Sequence, residues 1–325
     1  SNHDLRTAFG RVDWQRDGET VIEDGYNTQL IADEAIRVIT SSDEDQPFFL
    51  YVAFHAPHSP LQAPAEAIAK YAHIEDENRR VYAAMVTEMD AAVGRVTDAL
   101  GEAGILEETL VMFFTDNGGV PHLGASNAPF RGGKNSPWEG GLRVPAVAYW
   151  SGVLDAGTVF NNRVTVMDLL PTFMDMADLP LDPPRPLAGY NLWPALSEGV
   201  PTRTGEAVFS NYVGGNLLHA YFKDEWKLVR GRNDEGEVQD FLFDIFVDPY
   251  EQNDVAEDYP DIFARLVEEL DAMPKAEPLT RGEIVPDFNA PGAPASIEPD
   301  TRPVIATPFA ESGPIPYPTE NYSAE

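Results

Sequence analysis

The chain has 325 residues, 43% of them hydrophobic, which is enough for one large domain or two unequal ones with a substantial core. Its 54 acidic residues outnumber 22 lysines and arginines, and the formal net charge of −32 makes nucleic acid and anionic membranes poor partners through long-range repulsion. The sequence contains no cysteine, which excludes disulfides, thiolate metal sites and a cysteine nucleophile. It also contains no apolar run of the ~18 residues that a membrane span requires.

Helical and strand-like patterns alternate through the first two hundred residues. Residues 27–39 and 80–100 space their apolar side chains along one helical stripe. Continuous apolar runs at residues 47–54, 109–115 and 144–150 are typical of strands buried on both faces. This rhythm predicts an α/β layer with a largely parallel sheet.

The pattern changes towards the end of this region. Residues 166–177 predict a further helix, in which a proline should cause a kink or mark the start. Three strand-like segments then follow, joined by polar turns: residues 207–212, 218–231 and 240–248. A helical pattern over residues 259–273 completes a predicted small antiparallel sheet with one packed helix.

We therefore predict three regions. Residues 1–200 form the α/β layer and residues 201–273 form the smaller subdomain. From residue 274 to 325 the chain carries 11 of its 28 prolines with little periodicity, which predicts an extended or disordered tail.

The run 109–115 stops at a carboxylate and an amide, Asp116 and Asn117. An Asn-Gly pair favours a hairpin turn, although the residues after Gly119 make a poor second strand. Ligands of α/β sheets gather at the carboxyl ends of strands, and both side-chain oxygens suit a hard cation such as Ca²⁺ or Mg²⁺. The residues leave both interpretations open, and a metal site would need further carboxylates from elsewhere.

His58 follows the run 47–54 by four residues, between two prolines that restrict the backbone. A histidine in this position can donate a proton to a leaving group or hydrogen-bond an anion. His55 and His58 would alternatively form a transition-metal pair, but no third nitrogen or sulfur ligand is evident. A loop histidine bonded to the backbone is the remaining interpretation.

Lys134 lies between glycines and a tryptophan in the segment "FRGGKNSPWEGG". A phosphate-binding loop would need glycine at position 128 and Ser or Thr at position 135, where this chain has Ala128 and Asn135. What remains is a cation on a loop that can approach an anion closely, with Arg131 and Arg143 nearby in sequence. The alternative is a solvated surface lysine.

Five segments, in order and at plausible spacing, resemble the type I sulfatases, and most closely the arylsulfatase B (N-acetylgalactosamine-4-sulfatase) branch. They are "PFFLYVAFHAPHSPLQAP", "NRRVYAAMVTEMDAAVGRVTDAL", "VMFFTDNGG", "NAPFRGGKNSPWEGGLRVP" and "LFDIFVDPYEQNDVAEDYP". The resemblance covers about residues 20 to 270. It implies an alkaline-phosphatase-like α/β domain with a mostly parallel sheet flanked by helices, here incomplete, and a smaller antiparallel sheet domain with one helix.

The resemblance also implies roles for four residues. Asp116 and Asn117 match the family's Ca²⁺ ligands, with Mg²⁺ as the alternative ion. Lys134 matches the lysine that contacts the sulfate. His58 matches the histidine that contacts the sulfate and protonates the departing oxygen, whereas His55 has no clear counterpart.

One family feature is missing from this sequence. Sulfatases use a formylglycine made within a C/S-x-P-x-R motif, beside a pair of adjacent aspartates on the metal, and this chain has neither. The segments begin where the second half of a sulfatase would begin. We therefore expect a carboxyl-terminal portion that lacks the nucleophile and is inactive alone.

The implied activity of the intact enzyme is hydrolysis of sulfate esters, with a sulfated carbohydrate or an aryl sulfate as substrate and a complementing amino-terminal sulfatase chain as a potential partner. The family also implies a periplasmic or secreted bacterial protein, although the first residues show no signal-peptide pattern. Two alternatives stay open: a phosphoesterase of the same superfamily, and a non-catalytic module that binds sulfated glycans or a partner subunit.

Overall fold

The computed structural model describes residues 14–43, 46–180, 187–198, 206–213, 216–233 and 235–273. The chain divides into two compact units. The first contains the described residues up to Gly104 together with Pro121–Ala125, and the second contains Ile105–Val120 and the described residues from Ser126 onward. The predicted tail at residues 274–325 lies outside the described residues, and the predicted domain boundaries stay a prediction.

The first unit is built mainly of helices. Its described residues form the short strands β1 (Gln15–Arg16) and β2 (Glu19–Thr20), the helices α1 (Asn27–Thr40), α2 (Ala65–Ala69) and α3 (Glu77–Glu102), and a 3₁₀ turn at Pro121–Leu123. The predicted helices at 27–39 and 80–100 are confirmed as α1 and α3. Asp76 begins α3 by accepting a hydrogen bond from the Arg79 N–H at 2.7 Å, which satisfies one of the helix's unpaired amides.

Small apolar side chains form the core of this unit. Ala67 of α2 and Ala84 of α3 are fully buried, with Val81 and Met85 beside them. Polar contacts join α1 to α3 at the surface, where Gln29 Nε2 donates to a Glu88 carboxylate oxygen at 3.0 Å. Met85 and Met89 of the apolar stripe that predicted α3 therefore lie in the core that α3 shares with α2.

The apolar run at residues 47–54 is not a strand, which corrects that prediction. Phe49 is 77% exposed and Tyr51 is 73% exposed. The runs at 109–115 and 144–150 do contain strands, β3 (Val111–Phe114) and β4 (Ala146–Tyr149), which pair antiparallel. The prediction that both strands are buried on both faces was wrong for β4, because Val147 is 61% exposed. An apolar run shows only that the faces of a strand are suited to burial. Actual burial depends on which other segments pack against the strand. Each ladder among the described residues is antiparallel.

The helix predicted at 166–177 is confirmed as α5 (Leu169–Met176), preceded by a 3₁₀ turn at Val166–Asp168. Asp168 caps this start, because its Oδ2 accepts the Thr165 N–H at 2.7 Å. Pro171 lies in the first turn of α5, where a proline costs no backbone hydrogen bond, so it marks the start of the helix.

The small antiparallel sheet predicted for the second unit is confirmed. Its strands are paired in sequence order: β5 (Ala207–Val213), β6 (Asn216–Lys223), β7 (Trp226–Arg232) and β8 (Val238–Asp244). The helix predicted at 259–273 is α7 (Pro260–Ala272). Leu266 of α7 packs on Tyr221, Leu228 and Leu242 of the sheet, and all four are fully buried.

The described part of the second unit also contains two short helices, α4 (Glu139–Leu142) and α6 (Trp193–Glu198), and a 3₁₀ turn at Leu106–Glu108. No helix in the described ranges is both long and apolar enough to cross a bilayer.

Candidate active site

Asp116 and Asn117 follow the end of β3, as the sequence predicted. Asp116 is exposed, and its Oδ1 accepts the Asn117 backbone N–H at 2.9 Å. The Asn117 amide group donates from Nδ2 to the Gly118 carbonyl at 3.0 Å. These two bonds fix both side chains and leave Asp116 Oδ2 and Asn117 Oδ1 as acceptors for a ligand.

The loop after Asn117 touches the backbone of α4 directly. The Gly118 N–H donates to the Gly141 carbonyl at 3.0 Å, and the Gly140 N–H donates to the Arg131 carbonyl at 2.7 Å. A β-carbon at Gly118 would lie 1.7 Å from the Gly140 oxygen, and one at Gly140 would lie 2.5 Å from the carbonyl oxygens of Arg131 and Gly132. These glycines are required because the chain segments approach too closely for any side chain.

Lys134 lies on the loop beside this contact. Its N–H donates to the Gly119 carbonyl at 3.1 Å, which ties the Lys134 loop to the Asp116–Asn117 loop. The Lys134 side chain is half-buried. Its ammonium group makes no hydrogen bond and no ion pair with any part of the chain that the structure describes. In a protein of net charge −32, an unpaired cation in such a loop is available to an anionic ligand.

Asn127 is a site residue that the sequence analysis missed. Its Oδ1 accepts the Gly119 N–H at 2.8 Å, while its Nδ2 donates to the carbonyls of Gly119 at 3.0 Å and Gly132 at 3.1 Å. One side chain therefore connects the backbone after Asn117 to the backbone before Lys134. No local pattern marks Asn127, since its partners are defined only by the folded loop.

The two arginines near Lys134 have other roles. The Arg131 guanidinium stacks on the Trp138 ring at 3.7 Å from its centroid. Arg143 lies over the Phe130 ring at 5.0 Å and forms an ion pair with Glu139 at 3.7 Å. The basic cluster predicted from sequence is thus spread over separate contacts: Arg143 pairs with a carboxylate, Arg131 lies on aromatic rings, and the Lys134 ammonium has neither kind of contact among the described residues.

His58 belongs to the first unit, whereas Asp116, Asn117 and Lys134 belong to the second. His58 is exposed, and its Nδ1 lies 2.7 Å from the Ser59 carbonyl oxygen. Because a carbonyl only accepts, Nδ1 carries the hydrogen and Nε2 remains for a ligand. The convergence of all four residues on one ligand stays a prediction.

His55 has the opposite tautomer. The Asn27 Nδ2 group, on a residue that is 2% exposed, donates to His55 Nδ1 at 2.9 Å, so the hydrogen of the neutral ring lies on Nε2. This bond gives His55 a structural partner in the first unit. The transition-metal pair with His58 finds no support, because no group of three or more metal-binding His, Asp or Glu side chains occurs among the described residues.

The donor atoms at the end of β3 are of the chemical type that a hard cation binds. Asp116 Oδ2 and Asn117 Oδ1 are a charged and a neutral oxygen, the types that Ca²⁺ prefers. They supply two of the about six to eight oxygens that Ca²⁺ takes. These two residues would therefore hold one side of a Ca²⁺ ion.

Comparison with known proteins identifies the family. The Sulfatase family model matches residues 2–179, more than half of the chain. Arylsulfatase J of Mus musculus is 31% identical over 292 residues, 77% of this chain and 49% of that protein. N-acetylgalactosamine-6-sulfatase of Mus musculus is 33% identical over 205 residues, 62% of this chain and 38% of that protein.

Among solved structures, that of Ps i-CgsB in complex with k-i-k-neocarrahexaose is 32% identical with a TM-score of 0.73, over 78% of this chain and 56% of that one. The chain spans about half or less of the length of these curated relatives. Its structural neighbours have the alkaline-phosphatase-like fold, as the sequence predicted. The chain belongs to the sulfatase family.

Proposed function

We propose that the intact protein hydrolyses sulfate esters of glycans. The observation that carries this proposal is the unpaired ammonium of Lys134, on a loop joined to the loop of Asp116 and Asn117 by a backbone hydrogen bond and by the Asn127 side chain. Family membership supports it, as do relatives named for an N-acetylgalactosamine-6-sulfatase activity and a structural neighbour that binds a neocarrahexaose.

Each residue has a defined task in this proposal. The Lys134 ammonium binds the sulfuryl oxygens and stabilises the negative charge that grows on them. His58 in its cationic form donates the Nε2 proton to the departing alcohol oxygen, and its Nδ1 bond to the Ser59 carbonyl holds the ring in that orientation. Asp116 and Asn117 hold Ca²⁺, with Mg²⁺ as the alternative. The bound ion supplies further electrostatic stabilisation of the sulfate.

The finer assignments are also part of the proposal. We place the substrate in the arylsulfatase B class, a sulfated hexosamine within a carbohydrate chain, and the enzyme in a periplasmic or secreted compartment. Support comes from the resemblance of the segments around His58, Asp116 and Lys134, and from the arylsulfatase J match over most of the chain. Because this sequence has no C/S-x-P-x-R motif, we expect activity from the intact protein and none from these residues alone.

The test is Lys134→Ala in the intact protein, with turnover of an aryl sulfate and of N-acetylgalactosamine 4-sulfate as the readout. We expect a loss of about 10²–10³-fold in kcat/KM, the usual cost of removing one preorganised charge. Lys70→Ala is the matched control, because Lys70 is an exposed lysine just after α2. Turnover that survives Lys134→Ala within a few-fold contradicts the assignment, and faster hydrolysis of the aryl phosphate than of the aryl sulfate contradicts the sulfatase chemistry.

A further inference from the structure

A fully buried lysine lies within the small sheet of the second unit. Lys227, on β7, is 0% exposed. Its Nζ donates to Glu139 Oε1 at 2.8 Å and lies 2.6 Å from Glu251 Oε1. The Glu251 carboxylate also binds the backbone of Glu139, because Glu251 Oε2 accepts the Glu139 backbone N–H at 2.7 Å. We call Lys227, Glu139 and Glu251 the buried triad.

The buried triad places three charged groups in the protein core. Moving three charges out of water carries a large desolvation penalty, and apolar residues of similar volume often give equal or better stability. Burial raises the pKa of Glu251, against the lowering effect of Lys227. Neighbouring cations also face the group, since Arg163 interacts with Glu139 and Arg143 pairs with it at 3.7 Å. An ionic core of this kind defines one geometry, because its hydrogen bonds are directional and cannot be repacked.

The position of Glu139 shows which geometry is defined. Glu139 is the first residue of α4, the helix whose backbone contacts both site loops. Within α4, Gly141 accepts the Gly118 N–H, and Gly140 donates to the Arg131 carbonyl. The buried triad thus joins α4 to β7, while backbone hydrogen bonds join α4 to the Asp116–Asn117 loop and to Arg131 at the start of the Lys134 loop.

Aromatic packing strengthens the same connection. Trp138, immediately before α4, makes edge contacts with Phe241 at 5.2 Å and Phe243 at 6.0 Å on β8. Aromatic contacts are weakly directional and do not set the rotation of the four-residue helix α4. The ion pair to the Glu139 side chain and the hydrogen bond to the Glu139 N–H are directional and do set it.

We propose that Lys227 is a positioning residue for sulfate hydrolysis, which acts through Glu139 and α4 to hold Lys134 and the Asp116–Asn117 loop in place. This inference rests on the proposed function, because it assigns Lys134 to the sulfate. It adds a structural origin for the site's geometry on strand β7, which is distant in sequence from the site loops but belongs to the same unit.

The first experiment needs no activity. Hydrogen exchange of the chain, followed by mass spectrometry, compares the parent with Lys227→Met. We expect the amides of Gly118 and Gly140 to exchange about tenfold faster, while the β5–β6 ladder is unchanged, because local opening precedes loss of the sheet. Lys223→Met is the matched control: Lys223 on β6 also pairs with a glutamate, Glu269 at 2.7 Å, but among the described residues no hydrogen bond or ion pair joins its side chain to α4.

Faster exchange throughout the sheet, or the same change in Lys223→Met, overturns the inference, because either result shows a general loss of stability. If Lys227→Met does not fold, Glu251→Gln replaces it. This variant keeps Lys227 paired with Glu139 and removes one of the two carboxylates that hold Lys227, so we expect a smaller rise confined to the same amides.

The second experiment uses turnover of the intact protein. We expect Lys227→Met to lower kcat/KM by about tenfold to 100-fold, the range seen when catalytic groups shift by about 1 Å. In a Lys134→Ala background we expect Lys227→Met to lower kcat/KM by a smaller factor than in the parent, because Lys134, one of the two elements that Lys227 positions, is already gone while the Asp116–Asn117 loop remains. A full additional loss in the double variant, or no loss in the single variant, overturns the inference. An unaffected Lys134→Ala enzyme is a different result, since it refutes the proposed function itself.

Discussion

Replacing Gly118 with alanine tests the close contact between the Asp116–Asn117 loop and α4. The added β-carbon would lie 1.7 Å from the Gly140 carbonyl oxygen, whereas real β-carbons essentially never come within 3.0 Å of another heavy atom. The two backbones must therefore separate by at least 1.3 Å, the difference between those distances. The obstacle is a backbone oxygen, so no side-chain rotation relieves it.

The expected cost follows from this displacement. Separation breaks the hydrogen bond from Gly118 N to Gly141 O, worth about 1 kcal/mol. The overpacked contact adds about 1–3 kcal/mol. We expect Gly118→Ala to lower the free energy of unfolding by about 2–4 kcal/mol, and to lower turnover of the intact protein by about 10²-fold because Asp116 and Asn117 move with the loop.

Urea denaturation followed by circular dichroism measures the stability change, and aryl sulfate hydrolysis measures the change in turnover. Gly94→Ala is the control. Gly94 is exposed in α3, and a β-carbon there meets nothing within 4 Å, so this variant should gain about 0.5–1 kcal/mol from helix propensity. A Gly118→Ala protein within about 0.5 kcal/mol of the parent, and with unchanged turnover, would refute the packing argument.

Two further predictions concern charge. Asp116→Asn removes the formal charge of the two-oxygen donor set, so we expect Ca²⁺ to bind at least about tenfold more weakly than to the parent chain in calorimetric titration. The control is Asp98→Asn on the exposed face of α3, which should leave the affinity for Ca²⁺ unchanged. Equal affinities for the two variants would exclude Asp116 as a ligand. Lys223 lowers the pKa of Glu269 below its ordinary value of 4.5 through a hydrogen bond, so the stabilisation is present above pH 4.5 and is lost as the pH falls through the folded-state pKa. Lys223→Met should therefore reduce the urea midpoint at pH 7 by the equivalent of less than about 1 kcal/mol, and the difference from the parent should vanish at pH 3. A difference that persists at pH 3 would mean that the lysine acts through packing.

Local periodicity predicted the helices well. The stripes in α1, α3 and α7 are properties of a few consecutive turns, and one apolar face is enough to define each helix. The small antiparallel sheet of the second unit was also predicted, because polar turns separate its segments, although the segment 218–231 was taken as one piece and contains parts of both β6 and β7. In contrast, residues 47–54 have the composition of a buried strand, yet no ladder forms there. Strand burial depends on which other segments lie alongside, which a single run cannot specify.

Some residues of the candidate site could likewise be predicted from the sequence, and others could not. Asp116 and Asn117 were predicted as site residues because they follow a strand-like run, and Lys134 because it is a cation in a glycine-rich loop; their role as a site stays a prediction. Lys227 was not found, since it occurs within the strand pattern "EWKLVRG" and looks like an ordinary outward-facing residue. Its partner Glu139 is 88 positions away, and the Glu139–Glu251 bond spans 112 positions. No local spacing encodes contacts of that range, so only the folded structure shows the buried triad.

The hydrogen bond from Gly118 N to Gly141 O affects the deamidation of Asn117. Asn-Gly sequences in mobile chains deamidate readily, because the glycine nitrogen attacks the asparagine side chain to form a succinimide. Here that nitrogen is held by the Gly141 carbonyl, and the asparagine amide is held by its own bond to the Gly118 carbonyl. The folded loop therefore protects Asn117 from conversion to aspartate, and partial unfolding during storage would expose it to that damage.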